Sequence, residues 1–154
     1  MTDRVHQAQA GIRRLPITVR LAAILHRAAE AHGLKVRVTS GGQPPKGGGK
    51  RTGSTRHDVG GDRLGAADLQ LLDESKGYVL DMGVPADLER MAAFVTEAVF
   101  HGATGVGAGA GYMGPKTIHV GGGSALTWGA GGRANTAPAW LVAAHRAGLA
   151  KRNA

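Results

Sequence analysis

An α+β fold, with helices packed against a small, mainly antiparallel sheet, is predicted by three observations. Apolar residues recur at helical spacing in three segments of the chain. Between these segments lie short runs with the alternation or the β-branched content of strands. Helices and strands do not alternate as regular βαβ units, which argues against a doubly wound parallel sheet. A chain of 154 residues suits one domain, since domains usually span roughly 100–200 residues. Residues 1–154 are therefore expected to form a single unit, with 1–14 as a mobile N-terminal arm and 150–154 as a basic tail.

Each element follows from its local pattern. "PITVRLAAILHRAAEAH", Pro16 to His32, places Leu21, Ile24, Leu25 and Ala28 on one helical face, with Pro16 suited to a first turn and Gly33 to a stop. "LKVRVTS" alternates Leu34, Val36 and Val38 with polar residues, as a half-buried strand does. The stretch "GGQPPKGGGKRTGSTRHDVGG" is too rich in glycine and proline for regular structure, and so long a loop inside a domain is commonly functional. "AADLQLL" and "YVLDM" are expected as the two arms of a hairpin across "DESKGY". From Pro85 to Gly102 a second helix carries Leu88, Met91, Ala92, Val95 and Val99 on one side, with acidic residues in its first turn. "ATGVGAGAGYMGPKTIHVGGG" predicts two short strands joined through Tyr112 to Lys116. Glycine in a strand often marks the close approach of another group. After the glycine-rich loop "TWGAGGRANT", Pro138 opens a last helix with Trp140, Leu141, Ala144 and Leu149 on its apolar side.

Composition narrows the chemistry. The chain has no cysteine, so disulfides and thiolate metal sites are excluded, and any metal must be held by histidine and carboxylate. A net charge of +8 implies attraction to a polyanion, whether nucleic acid, teichoic acid, an outer-membrane surface or peptidoglycan. The basic residues are scattered, without interleaved aromatics, so specific nucleic-acid binding is not expected. The N-terminus lacks the apolar core of a signal peptide, and no run approaches the ~20 apolar residues of a membrane span. The expectation is a protein made in the cytoplasm.

Four of the seven histidines, His26, His32, His101 and His145, fall on helices, and His6 lies in the N-terminal arm. His57 and His119 differ. His57 follows the glycine-rich loop, Asp68 begins a strand, and His119 sits in the strand "TIHVG". Two imidazoles and one carboxylate make a tridentate set that leaves a fourth position of zinc open. Asp62 competes with Asp68 but lacks a following apolar strand, and strands place ligands better than loops do.

"VTSGGQ", then "STRH", "GAAD" and "IHV", resembles the zinc D-alanyl-D-alanine peptidases of the hedgehog/DD-peptidase superfamily. Their pattern is S-G-Y-R, then S-x-H-x-x-G-x-A-x-D, then a late histidine on a strand. The resemblance spans Val38 to Val120 in order, and it implies a hedgehog/DD-peptidase-like fold with Zn2+ held by His57, Asp68 and His119. It further implies a peptidase acting on D-amino-acid-containing peptides of peptidoglycan, of the kind found in endolysins and virion-associated lysins. The site of action would be the cell wall or a phage particle, with phage tail or virion proteins as partners. Ser40 and Thr55 would hold the substrate peptide, Thr55 standing where the family has serine. Gln43 would steady the scissile carbonyl in place of the family's arginine, and Tyr112 would hydrogen-bond the tetrahedral intermediate.

Two departures from that pattern stand out. Asp68 follows His57 by eleven positions, and the loop is about four residues longer than the pattern, an insertion of small entropic cost. Lys116 occupies the place of the acidic general base, and lysine cannot take a proton unless its pKa is strongly depressed. Asp58, Asp81 and His101 are candidate substitutes. The alternative is a protein of the same fold that retains the metal and binds without cutting, as a virion component or wall-recognition module. "GVGAGAG" does not open a helix, so it fails as a dinucleotide site. Trp128 is expected either as a core plug or as a sugar-stacking surface.

Overall fold

The strand and helix periods of the sequence resolve into one mixed six-stranded sheet with three helices. A computed structural model describes residues 2–154. In chain order the elements are β1 (Val5–Gln7), α1 (Val19–Ala31), β2 (Leu34–Ser40), β3 (Ala66–Asp73), α2 (Pro85–Phe100), β4 (Gly105–Ala108), β5 (Thr117–Gly121), β6 (Leu126–Trp128) and α3 (Ala139–Arg152). The sheet order is β1-β2-β3-β5-β4-β6. Its middle is antiparallel, from β2 through β3 and β5 to β4, whereas β1 pairs with β2 and β6 with β4 in parallel. The α+β class is as expected. The sheet is mixed, because both short edge strands run parallel to their neighbours.

The pleat divides the chemistry. Successive side chains of a strand point to opposite faces, and the buried aliphatics Val36 and Val38 of β2, Leu69 and Leu71 of β3, Val106 and Ala108 of β4, and Ile118 and Val120 of β5 belong to one core. Leu21, Leu25 and Ala28 of α1, Met91, Phe94, Val95 and Val99 of α2, and Leu141 of α3 join it. Asp68 and His119 lie between core residues in sequence, so the alternation that buries the aliphatics turns both polar side chains to the opposite face.

Several local expectations change. The N-terminal arm is not free: β1 pairs with β2, Ile17 N donates to Gln7 Oε1 at 2.8 Å, and Gly11–Arg13 forms a 3-10 turn. Backbone pairing to the exposed edge of β2 outweighs the arm's polar composition. Helix α1 begins at Val19 because Leu15 bridges to Gly42, which keeps Pro16–Ile17 out of the helix, while Thr18 accepts from Leu21 N at 3.1 Å as N-cap. The second arm of the expected hairpin shrinks to a Leu72–Val79 bridge. Conversely, three residues of the supposed loop after Gly121 form β6. The basic tail is mostly helix, since α3 runs to Arg152, whose side chain donates to the carbonyls of Val99 and Ala103.

Candidate metal centre

Backbone register brings the site together. Across the antiparallel middle of the sheet, Ser40 lies opposite Asp68, Asp68 opposite His119, and His119 opposite Gly107. His119 Nδ1 meets Asp68 Oδ1 at 2.9 Å. His57 arrives from the long loop between β2 and β3, and its Nε2 lies 3.6 Å from the same carboxylate oxygen. The carbonyl of Gly41 can only accept, so the 2.8 Å contact fixes the hydrogen on His57 Nδ1. In the neutral ring that leaves the lone pair on Nε2, facing Asp68.

These three residues offer ligand atoms that all lie within 4.8 Å of one another. The residues fit a metal ion. Bonds of about 2.0–2.1 Å in a tetrahedron separate ligand atoms by roughly 3.3 Å, and the two spacings around Asp68 Oδ1 bracket that value. His57 Nε2 and His119 Nε2 are buried without a hydrogen-bond partner, at a cost of about 1–3 kcal/mol for each such atom. A group that coordinates His57 Nε2 would offset part of that cost. A His57–Asp68–His119 metal site is thus consistent with both the geometry and the burial.

Charge reinforces the fit. Burial pushes the Asp68 carboxyl up, but the neighbouring imidazoles, foremost His119 through its hydrogen bond, outweigh it and hold the group well below the usual carboxylate range. His119 is pushed down, chiefly by burial, against the opposing pull of Asp68. An ionised carboxylate beside a neutral imidazole is the protonation state a divalent cation requires.

The site opens into a cleft of about 230 Å³ that Arg13, Ser54, Arg56, Tyr112 and Trp128 help to line. Arg13 was not legible as a site residue. It comes from the segment expected to be a free arm, and its Nη1 lies 3.4 Å from Asp68 Oδ2 while Nε and Nη2 donate to Thr52 Oγ1. Trp128 is only 6% exposed. Its ring meets that of His119 edge-on at 4.8 Å and carries the Arg56 guanidinium 4.4 Å from its centroid.

Other expected residues fall elsewhere. Gln43 is fully buried, and both ends of its amide are engaged: Nε2 donates to Ser54 O at 2.7 Å and Asp58 Oδ1 at 2.9 Å, and Oε1 accepts from Thr52 N and Oγ1. Its role as an oxyanion donor is corrected to that of a loop organiser. Thr55 is exposed and borders a neighbouring groove, so Ser54 is the hydroxyl residue that lines the cleft. Ser40 stays in register with Asp68, and Tyr112 lines the cleft from a turn. Lys116 is exposed in the turn before β5. None of the substitute bases lines the cleft: Asp58 pairs with Arg51 at 2.7 Å, Asp81 accepts from Gly83 N, and His101 lies beside Glu97. Asp62 sits exposed in the loop and outside the metal group. No helix of the described residues is long and apolar enough to cross a membrane. In comparisons with family models, curated proteins and solved structures, the chain matches none of them.

Proposed function

We propose that the protein is a zinc-dependent peptidase acting on D-amino-acid-containing peptides of peptidoglycan. The observation that carries this reading is the convergence of two imidazoles on one carboxylate oxygen, at 2.9 and 3.6 Å, on the wall of a cleft. The resemblance of "STRH", "GAAD" and "IHV" to the zinc D-alanyl-D-alanine peptidases supplies the reaction class and the metal.

Zinc, when bound by His57, Asp68 and His119, would act as a Lewis acid and acidify a water. The chain's own residues do the rest. Gly41 holds the His57 ring in the tautomer that presents Nε2. Arg13, placed by Thr52, brings a fixed positive charge to the cleft, where it can donate to an oxygen that gains negative charge. Tyr112 offers a hydroxyl on the same cleft. The net charge of +8 would keep the enzyme near an anionic wall.

One observation favours a second reading, a metal-retaining module that binds the wall or a virion without cutting. Among the described residues Asp68 is the sole carboxylate lining the cleft, so no second acid there stands ready as a general base. Incubation of the zinc-loaded protein with purified peptidoglycan, followed by mass spectrometry, separates the two. Zinc-dependent release of peptides that is lost in His57→Ala supports the peptidase. Stoichiometric zinc without release supports the binding module. Zinc retained in Asp68→Ala but lost in Asp62→Ala would remove the ligand set on which both rest.

A further inference from the structure

Beside the metal cleft runs a larger groove of about 920 Å³, bordered by Arg20, Arg56, Arg63, Asp62, Thr104 and Ser124 among others. Arg56 belongs to both spaces. Its three hydrogen bonds all go to neutral oxygens: Nη1 to Gly122 O at 2.7 Å, and Nη2 to Ser124 O and Oγ at 3.3 Å. The half-buried guanidinium is therefore held in place while its charge stays unmatched. Arg20 likewise spends its contact on a backbone carbonyl, that of Asp62.

The sheet makes room for this cation. Gly105 and Gly107 share one face of β4, and a Cβ at either position would overlap Arg56 or the Trp128 indole. The glycines leave room for Trp128 to meet His119 edge-on and for Arg56 to lie over Trp128. The guanidinium thus stands two ring contacts from the metal centre, 4.4 Å to Trp128 and 4.8 Å onward to His119. The two legs bound the separation from above, and an extended peptide at about 3.3–3.6 Å per residue covers it within about three residues.

We propose that this groove, with Arg56 where it meets the cleft, binds a carboxylate that the substrate peptide carries within about three residues of the bond at the metal centre. Guanidinium recognises carboxylate as a planar fork, and the fixed Arg56 loses little freedom in doing so. The substrate class is an acidic peptide, seated with its backbone in the cleft and its acid in the groove. Among the described residues no aromatic lines the groove as a base-stacking platform, which disfavours single-stranded nucleic acid as the occupant. The inference rests on the peptidase reading for the orientation of the peptide.

The test is calorimetry on the zinc-loaded full chain with the pentapeptide L-alanyl-γ-D-glutamyl-L-lysyl-D-alanyl-D-alanine, its glutamate α-carboxyl free or amidated. The free acid is expected to bind about tenfold more tightly, as a charge-assisted pair would give. Arg56→Gln should erase that preference, so that acid and amide bind with equal affinity. Arg56→Lys should keep part of it, and exposed Arg63→Gln should lower it about two- to threefold. Thermal melts and zinc content establish that each variant folds. Equal binding of acid and amide to the wild type, no binding of either, or a preference that survives Arg56→Gln would overturn the proposal. So would a DNA oligonucleotide that binds more tightly than the peptide with the same dependence on Arg56. Hydrolysis of the two peptides is scored separately. Acid-selective binding without cleavage keeps the groove and removes the peptidase, whereas cleavage indifferent to amidation does the reverse.

Discussion

Asp68 and His119 are placed by a sheet, and His57 is placed by a loop, yet all three meet at one point. On the sheet side, the β3–β5 register alone puts Asp68 opposite His119, and the backbone ladder holds them there. On the loop side no ladder exists between Pro44 and Gly65. Its place is taken by a buried polar network in which Gln43 binds Thr52, Ser54 and Asp58, Asp58 binds Arg51, and Gln43 also bridges to Asp58 along the backbone. Side-chain hydrogen bonds do for the loop what strand pairing does for the sheet. Such a network is more fragile, because one unpaired member leaves a buried charge behind.

The largest effect should come from breaking the loop side. Asp58→Ala strips Arg51 of its partner in a buried setting, and it is expected to cost about 3–5 kcal/mol of stability in urea unfolding. Zinc affinity should fall with it, roughly 10–100-fold, as for loss of a supporting partner of a metal ligand. Wild-type affinity in a folded Asp58→Ala protein would show that the network does not position His57.

A smaller effect is expected where the sheet side meets Trp128. Gly107→Ala drives a methyl group into the indole and should cost about 1–3 kcal/mol, the usual range for overpacking. The ladder itself stays intact, so zinc content should be retained while the Trp128 emission shifts. Loss of zinc with an unshifted spectrum would contradict that separation.

The mildest probe is pH. His119 titrates lower in the folded protein than the ~6.5 of a free histidine, so below that pH the unfolded chain binds more protons. Its contribution to stability is present in full above about 6.5 and declines as pH falls, by at most about 1.4 kcal/mol per unit. Asp68, held below the usual carboxylate range, contributes stability that is present in full above about 3.9 and is lost only in stronger acid. Thermal melts of the metal-free protein between pH 7.5 and 5, roughly spanning that window, should show a slope that flattens in His119→Gln. Equal slopes in both would refute this assignment.

The same contrast explains what was legible in the sequence. The alternation of Leu34, Val36 and Val38, and the interruption of aliphatics by Asp68 and His119, are periodic signals that survive without tertiary context. Helices α1, α2 and α3 were readable for the same reason. Arg13 and Arg56 were not, because nothing in their neighbours' spacing announces a contact with Asp68 or Trp128. Gln43 misled because its place after "SGG" matches a motif position, whereas its side chain answers to Thr52 and Asp58. Strand β6 escaped because three residues among glycines carry no period, and β1 because its pairing is decided by the free edge of β2.

The two parallel edge strands carry a consequence for the protein in bulk. Each is three residues long, while the longer strands with the site sit inside the sheet. A neighbouring molecule seeking to extend the sheet would find little ladder to dock on at either side, and short edges of this kind discourage strand-to-strand association. A glycine-rich chain of net charge +8 is thereby given a means of staying dispersed.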